Sequence, residues 1–294
     1  MSDGALAATE AINPRTRGLD TLATEELVAL LAREGRAAAD AVAAVSPAIA
    51  RAVDAIAARL RDGGNLHYVG AGTPGRLAML DAAECPPTFG TPPELVVAHV
   101  AGGPAALVRA VEGAEDDGAA GVAEMRDVRA RDAVVGISAS GGAPYVVAAL
   151  AAARELGALT VGVTSVAASH VAREADIAIV TETGAEPLAG STRLNAGTAQ
   201  KLVLNALSTG TMVRLGRVYD NVMIDVVATN AKLRLRALRL VREIAGVDEA
   251  RATTLLAQAQ GSVKVAIAME RCGIGAADAR ARLVAAGGFL RAIL

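Results

Sequence analysis

Short apolar runs alternate with helix-like segments along most of the chain. The first run, residues 66–69, ends in a glycine-rich turn, and an apolar-periodic segment follows at once. Comparable runs occur at residues 95–100, 132–138, 159–165 and 176–181. Regular alternation of strand and helix at this spacing predicts an α/β fold with a doubly wound, parallel, five-stranded sheet flanked by helices.

Helical patterns precede, connect and follow these strands. Before the first strand, residues 24–34 and 37–61 carry apolar residues on one face. A helix is predicted to start in the glycine turn near Pro74 and to end at Pro86 and Pro87. Further helices are predicted at residues 105–111, 145–156, 169–175, 199–215 and 226–244, and three short ones at 248–259, 263–272 and 276–294. We therefore expect an N-terminal helical segment (1–55), a central sheet domain (56–245) and a small C-terminal bundle of three helices (246–294).

Composition narrows the functional classes. The 294 residues are 53% hydrophobic but only 2% aromatic, which suits closely packed helices against a parallel sheet. A net charge of −2 gives no global argument for binding nucleic acid or an anionic membrane. The basic run from Lys232 to Arg242 lacks aromatic residues and is expected to be a solvated helix face.

The cysteines and the apolar runs exclude further classes of protein. Cys85 and Cys272 are too few for a disulfide framework and lack the spacing of a metal site. The first 17 residues contain acids and a proline but no apolar core of a leader, and no uninterrupted apolar run reaches transmembrane length. The sequence therefore predicts a soluble, cytoplasmic protein.

The turn after the first strand has the chemistry of an anion cradle. Gly72 and Gly75 let the backbone approach a ligand, and the first N–H groups of the following helix point at it. Pro74 suits a helix start because no donor is needed there. The spacing matches neither a dinucleotide-binding fingerprint nor a P-loop. Pro86 and Pro87 are predicted to end the helix and to restrict the backbone that carries Glu84 at its end.

A second turn of the same kind, residues 139–144, follows the third strand. Ser138 and Ser140 add hydroxyl groups to its backbone amides, and Gly141 lies between the serine and the next helix. Ligands of doubly wound sheets bind at the carboxyl ends of the strands. Both turns are therefore expected to face one pocket for a phosphorylated or otherwise anionic ligand.

Two polar loops carry further candidate residues. In the loop 182–198, Glu186 and Arg193 either hold sugar hydroxyls or a carboxylate, or form an ion pair with each other. The turn from Glu112 to Asp117 contains four acids in six residues. Such a turn is most often a solvated loop.

Several blocks resemble the N-acetylmuramic acid 6-phosphate etherase family. They are residues 70–76, 81–87, 111–116, 139–145, 190–201 and 225–233. The resemblance implies a sugar isomerase (SIS) domain, a homodimer with sites near the subunit interface, and cleavage of a lactyl ether without metal or cofactor. Glucokinase regulatory protein is similar in the same blocks. The substrate-binding residues that the resemblance implies are Gly72, Thr73, Gly75, Arg76, Ser138, Ser140, Gly141, Glu186, Ser191, Thr192 and Arg193.

The resemblance also implies the roles of two carboxyl groups. Glu84 is the general acid, and Glu115 is the base that removes the C2 proton of the ring-opened sugar and later activates water. Two carboxyls in opposite protonation states suffice for this chemistry. We expect Glu84 to be desolvated and protonated beside the prolines, and Glu115 to stay ionised in a wetter loop.

The chain departs from the family pattern at four positions. Pro74 replaces a serine, Gly142 and Ala143 replace an arginine and a threonine, and Asn195 replaces a lysine. Each lost hydrogen bond to a charged phosphate is worth roughly 1.5–3 kcal/mol. We therefore expect either a lower affinity for the phosphate or a ligand that differs at the 6-position of the sugar. A non-catalytic sugar-phosphate-binding regulatory protein is the main alternative. The blocks around Glu84 and Glu115 argue against an aldose–ketose isomerase or deaminase.

Overall fold

The computed structural model describes residues 8–226 and 231–294. They form two compact units, the first made of residues 8–82 and 94–208, and the second of residues 83–93, 209–226 and 231–294. Residues 1–7 of the expected N-terminal segment lie outside the described residues, as do residues 227–230 of the last resemblance block and of the helix expected at 226–244. The division into domains at residues 55 and 245 stays a prediction.

The first unit contains the expected five-stranded parallel sheet. Its strands are β1 Leu66–Gly70, β2 Val96–Val100, β3 Ala133–Ile137, β4 Leu159–Thr164 and β5 Ile177–Val180. Their order is β2-β1-β3-β4-β5, and each neighbouring pair is parallel. The chain therefore reverses its direction of travel across the sheet between β1 and β3, where ligands of such folds bind.

Eight helices begin within this unit. They are α1 Thr24–Glu34, α2 Arg36–Ala44, α3 Ser46–Arg61, α4 Gly72–Phe89, α5 Gly118–Glu124, α6 Pro144–Glu155, α7 His170–Glu174 and α8 Asn195–Arg214. The single helix expected at 37–61 is divided at Val45, because Pro47 in the first turn of α3 lacks the N–H that would continue α2. The other helix expected before the first strand, at residues 24–34, is confirmed.

The prediction of a helix at residues 105–111 is wrong. A short 3-10 helix, Gly103–Leu107, occupies part of it. The carbonyl oxygens of Ala106 and Arg109 accept hydrogen bonds from Arg76. A segment this short gains little stability from its own helical hydrogen bonds, so the hydrogen bonds donated by Arg76 determine its conformation.

Helices cover both faces of the sheet, as a doubly wound fold requires. Tyr68 and Val69 are neighbours on β1 and therefore point to opposite faces. Val69 packs in a buried cluster with Met125 beyond the end of α5 and Tyr145 on α6. On the other face, the Tyr68 hydroxyl donates to Asp81 of α4 at 2.9 Å.

The second unit is largely helical. A hairpin of β6 Val218–Tyr219 and β7 Val222–Met223 precedes α9 Ala231–Ala245, α10 Glu249–Gln258, α11 Val263–Cys272 and α12 Ala276–Ala285. The three short helices expected after residue 246 are confirmed. The last ends at Ala285 instead of residue 294, because Gly287 and Gly288 take left-handed backbone angles. Leu240, Leu255 and Ile267 share one buried core.

Across the described residues, no single helix has the length and apolar character to span a bilayer. The segments Thr24–Ala44 and Ser46–Arg61 together satisfy length and composition, but they are bent by 59° at their junction.

Candidate functional site

The first glycine turn is built by a close approach of two backbones. A Cβ atom on Gly70 would lie 2.6 Å from the nitrogen of Gly75, and a Cβ on Gly75 would lie 2.6 Å from the oxygen of Gly70. Glycine at both positions therefore lets the first turn of α4 rest on the end of β1. Gly72 has a left-handed φ of +60° and no neighbouring atom within 4 Å of a Cβ. The turn is open on that side.

A cavity of about 160 Å³ lies at this turn. Its lining includes three predicted site residues, Gly72, Arg76 and Glu115, together with the segment 110–114. Typical small-molecule sites enclose roughly 300–1,000 Å³, so the cavity holds only part of a sugar-sized ligand. The structure thus places the turn after β1 and the acidic turn side by side.

Arg76 is oriented mainly by protein groups. Its Nε donates to the oxygen of Ala106 at 2.9 Å, and a terminal nitrogen donates to the oxygen of Arg109 at 3.2 Å. The guanidinium therefore holds the segment that leads from β2 to Glu115. Arg76 also belongs to the lining of the cavity.

Glu115 lies on a short 3-10 helix, Ala114–Asp116, that begins after Gly113 in a left-handed conformation. Its side chain is exposed. The next acid, Asp117, accepts a hydrogen bond from the N–H of Ala120 and so caps α5. The acidic turn is therefore a solvated loop whose two ends are fixed, and Glu115 projects from it beside the cavity.

The second glycine turn starts directly beside the first, because Gly70 of β1 pairs with Ile137 of β3. Ser138 is buried, and its Oγ accepts from the N–H of Gly141 at 3.1 Å. Ser140 is exposed, and its Oγ accepts from the N–H of Gly142 at 3.3 Å. Ala143 precedes α6 without a side-chain cap. Ser138 thus shapes the turn, whereas Ser140 is available to solvent.

Glu186 has a structural position that the sequence did not indicate. It is fully buried, and its two oxygens accept from the N–H groups of Asn195 at 2.7 Å and Ala196 at 2.9 Å. Burial raises the pKa of Glu186, although both N–H groups oppose the shift. Glu186 therefore caps the start of α8, and in this conformation it has no surface with which to contact a sugar.

The remaining predicted site residues of that loop are exposed or half-buried. Arg193 is exposed, and Ser191 and Thr192 are half-buried. The oxygen of Thr192 accepts from the N–H of Gly197 at 2.8 Å. A Cβ on Gly197 would lie 3.3 Å from Cγ2 of Thr73. The structure therefore brings the first turn of α4 against the start of α8.

Sequence reasoning missed the N-terminal residues that hold this loop. The oxygen of Thr9 accepts from the N–H of Gly190 at 3.1 Å, and Nδ2 of Asn13 donates to the oxygen of Ala185 at 3.2 Å. Nδ2 of Asn13 also donates to Glu34, which pairs with Arg15 at 2.8 Å. An asparagine directly before Pro14 is a turn signal, but its partner 172 residues away leaves no local pattern.

Within the single chain, Glu84 is not desolvated, contrary to the expectation. Glu84 is exposed on the part of α4 that belongs to the second unit, where Cys85 and Phe89 form the buried face. The cavity is formed by residues of the first unit. Pro86 and Pro87 do not end the helix, because it runs to Phe89 and the N–H of Gly90 still bonds to the oxygen of Pro86.

Burial shifts the pKa of three further groups. It raises the pKa of Asp81, which accepts hydrogen bonds from Tyr68 and from Ser208 at 3.1 Å. It also raises the pKa of Tyr145, with a smaller contribution from Glu124. Burial, followed by the neighbouring His99, lowers the pKa of His67 to about 4. Among residues 8–226 and 231–294, no three His, Cys, Asp or Glu side chains form a group suited to a metal ion.

Comparison with known proteins agrees with this fold. Residues 48–154 match the glucokinase regulatory protein N-terminal SIS domain, and residues 111–209 match the SIS domain. The fold is similar to that of a phosphoheptose isomerase from Francisella tularensis, with a TM-score of 0.51 and 19% identity over 64% of this chain and 96% of that one.

Two curated relatives match over the full length. The N-acetylmuramic acid 6-phosphate etherase of Serratia proteamaculans is 52% identical, covering 100% of this chain and 99% of the relative. The protein of the same name from Salmonella typhi gives the same identity and coverage. The chain therefore belongs to the N-acetylmuramic acid 6-phosphate etherase family.

Proposed function

We propose that this chain cleaves the lactyl ether of N-acetylmuramic acid 6-phosphate, giving N-acetylglucosamine 6-phosphate and D-lactate. The observation that carries the proposal is 52% identity along the entire chain to a relative with that name. The cavity beside the first glycine turn supports it, because Arg76 and Glu115 both line this cavity at the carboxyl end of the sheet. The reaction would serve the recycling of cell-wall amino sugars in the cytoplasm.

The proposed reaction is an elimination followed by addition of water. Opening of the sugar ring exposes an aldehyde at C1, which makes the C2 proton acidic enough for a carboxylate to remove. Glu115 takes that proton, since its carboxylate projects from the acidic turn beside the cavity. The C3–O bond then breaks, and the departing lactate oxygen receives a proton. Glu115 exchanges its proton with solvent, then takes a proton from the water that adds to C3 of the unsaturated aldehyde, and returns a proton to C2, which regenerates its carboxylate.

Glu84 is proposed as the acid that protonates the departing oxygen. A carboxylic acid stays protonated near neutral pH only where its surroundings disfavour the charge, and Glu84 is exposed in the single chain. We therefore propose that the working form is a homodimer with its sites near the subunit interface, where Glu84 is covered. The proposal requires neither a metal nor a cofactor.

The phosphate is proposed to bind at the two glycine turns, through their N–H groups and the hydroxyls of Thr73 and Ser140. Ser138 and Gly141 keep the second turn in shape. Ser191, Thr192 and Arg193 are proposed to contact the rest of the sugar. Pro74 and Ala143 supply no hydroxyl group. The affinity for the 6-phosphate is therefore lower, or the specificity at the 6-position of the sugar is altered.

A non-catalytic sugar-phosphate-binding protein is the second candidate. The match of residues 48–154 to the glucokinase regulatory protein N-terminal SIS domain favours it. Such a protein would keep the anion-binding turns, whereas its two glutamates would be dispensable. The two functions therefore differ in what happens when Glu115 is replaced.

Lactate release decides between them. Purified protein is offered N-acetylmuramic acid with and without the 6-phosphate, and Glu84→Gln and Glu115→Gln are compared with Asp116→Asn, a neighbouring exposed acid. Release from the phosphorylated sugar that is lost in both glutamate variants and kept in Asp116→Asn supports the etherase. Equal release from the unphosphorylated sugar means altered specificity at the 6-position. Binding without release from either sugar contradicts the etherase and favours the regulatory protein.

A further inference from the structure

The N-terminal segment from Thr9 to Asn13 is attached at two points to the loop that carries three proposed sugar-binding residues. The oxygen of Thr9 accepts from the N–H of Gly190 at 3.1 Å, and Nδ2 of Asn13 donates to the oxygen of Ala185 at 3.2 Å. Gly190 directly precedes Ser191 in the chain. The segment therefore holds the loop next to the residues that are proposed to contact the sugar.

The direction of the Asn13 side chain is set locally. A residue before proline is restricted to extended backbone angles, and Asn13, before Pro14, has φ −73° and ψ 114°. Its Oδ1 accepts from the N–H of Arg15 at 3.0 Å, which caps the short 3-10 helix Pro14–Thr16. The proline and this cap together fix the orientation of the amide group.

Asn13 uses both hydrogens of its amide. Besides the bond to Ala185, Nδ2 donates to Oε2 of Glu34 at 2.9 Å. A rotated amide would turn its oxygen toward a carboxylate and a carbonyl oxygen, which offer no hydrogen. Asn13 is only 2% exposed, so water does not replace a lost bond. An aspartate of the same size would have nothing to donate, and the position therefore requires an amide.

The loop is also fixed at its other end. Glu186 accepts from the N–H groups of Asn195 and Ala196 at the start of α8. The segment 191–194 thus lies between two fixed points, Gly190 on the N-terminal side and Asn195 on the helix. Release of the first point would let this segment take other conformations while α8 stays in place.

We propose that Asn13 is a positioning residue for sugar binding, and that its bond to Ala185 keeps residues 191–193 in the conformation that contacts the substrate. This inference rests on the proposed function. The proposed base, Glu115, belongs to a different segment, the acidic turn. Loss of the bond therefore lowers the share of chains that are ready to bind, which raises KM and leaves kcat nearly unchanged.

Steady-state kinetics of lactate release from N-acetylmuramic acid 6-phosphate tests this role. Asn13→Asp should raise KM about 10-fold, the effect of one lost hydrogen bond, with kcat within about a factor of 2. Arg15→Ala is the matched control. The Arg15 side chain binds Glu34, whereas its contact with Asn13 is through the backbone N–H, which the variant keeps. This control should lose stability but keep the KM of the unmodified protein.

A double variant separates positioning from stability. When Glu34→Gln is added to Asn13→Asp, the amide introduced at position 34 donates to the carboxylate introduced at position 13. The repulsion between two carboxylates is then removed, and the free energy of unfolding should rise above that of Asn13→Asp alone. The oxygen of Ala185 still lacks its donor, so KM should stay raised. If Asn13→Asp does not fold, the double variant decides.

Three kinetic results would overturn the proposal: an unchanged KM in Asn13→Asp, a KM that recovers together with stability in the double variant, or an equal rise of KM in Arg15→Ala. If the unmodified chain releases no lactate, the etherase function fails by itself, and calorimetric titration with N-acetylglucosamine 6-phosphate replaces KM. Weaker binding only in the variants without the Asn13 amide then supports the positioning role. Equal binding in all variants, or binding to none of the forms, contradicts it.

Discussion

Arg76 is bound to Ala106 by a hydrogen bond of 2.9 Å from its Nε to the backbone oxygen. A second bond, to the oxygen of Arg109, fixes the guanidinium in its plane. The first turn of α4 is thereby fastened to the segment that ends at Glu115. A side chain that the sequence suggested for substrate binding thus also positions the proposed base.

Replacing Arg76 with lysine should lower kcat about 10–100-fold. Lysine keeps the charge but cannot form both bonds in the same plane, and small displacements of a catalytic group cost rate steeply. Steady-state kinetics with the phosphorylated substrate measures the effect, and circular dichroism verifies the fold. Arg109→Lys is the control, because its exposed side chain lies in the same segment while only its backbone oxygen is used. Equal kcat in both variants would remove the positioning role.

Gly121→Ala should destabilise the protein by about 3 kcal/mol. A Cβ at Gly121 would lie 2.1 Å from the oxygen of Tyr145, so α5 would have to move away from α6. Gly118 on the same helix is the matched control, since the nearest atom to its Cβ is 3.5 Å away. The free energies of unfolding of the two variants, measured in urea, should differ by most of that amount. Similar stability in both would show that the helices do not depend on this close approach.

Glu186→Ala should cost about 1–3 kcal/mol in the free energy of unfolding, because two N–H groups at the start of α8 lose their buried acceptor. Glu182→Ala, an exposed acid of the same loop, should have little effect. Chemical denaturation compares the two. If Glu186→Ala is fully stable but no longer binds substrate, Glu186 contacts the ligand and the structural role is wrong.

The Glu34–Arg15 pair should make the free energy of unfolding depend on pH in the acidic range. The hydrogen bond from Arg15 lowers the pKa of Glu34 from its ordinary 4.5. The unfolded chain therefore takes up this proton more readily, so the stabilisation is present above about pH 4.5 and is lost as the pH falls through the lowered pKa.

Urea unfolding at several pH values measures this loss. Glu34→Gln should be less stable than the unmodified protein at neutral pH, and the difference should shrink in acid. Glu25→Gln, on the same helix but exposed, should follow the unmodified protein at every pH. A difference for Glu34→Gln that stays constant with pH would contradict the lowered pKa.

Local patterns predicted the elements of the first unit well. The expected strand at residues 132–138 became Ala133–Ile137, and the helix expected at 145–156 became Pro144–Glu155. Apolar runs and flanking glycines are properties of a few adjacent residues, so the sequence carries them directly. The order of the strands depends on contacts between distant segments, and the sequence left it open.

The errors arose where a distant group replaced a local one. The expected helix at 105–111 was displaced because Arg76, some 30 residues earlier, takes the carbonyl of Ala106. The buried position of Glu186 was not predicted, because the N–H groups that donate to it belong to Asn195 and Ala196, 9 and 10 residues later in the chain. The contact of His67 with His99 across two strands was missed for the same reason.

The most direct test of the central claim is turnover of N-acetylmuramic acid 6-phosphate in D₂O. If Glu115 removes the C2 proton before lactate leaves, the N-acetylglucosamine 6-phosphate formed carries deuterium at C2, with one lactate released per product. Glu115→Gln should form neither deuterated product nor lactate, whereas Asp116→Asn should form both. Lactate released with the original C2 hydrogen retained would contradict the elimination, and unchanged turnover in Glu115→Gln would contradict the role of this residue.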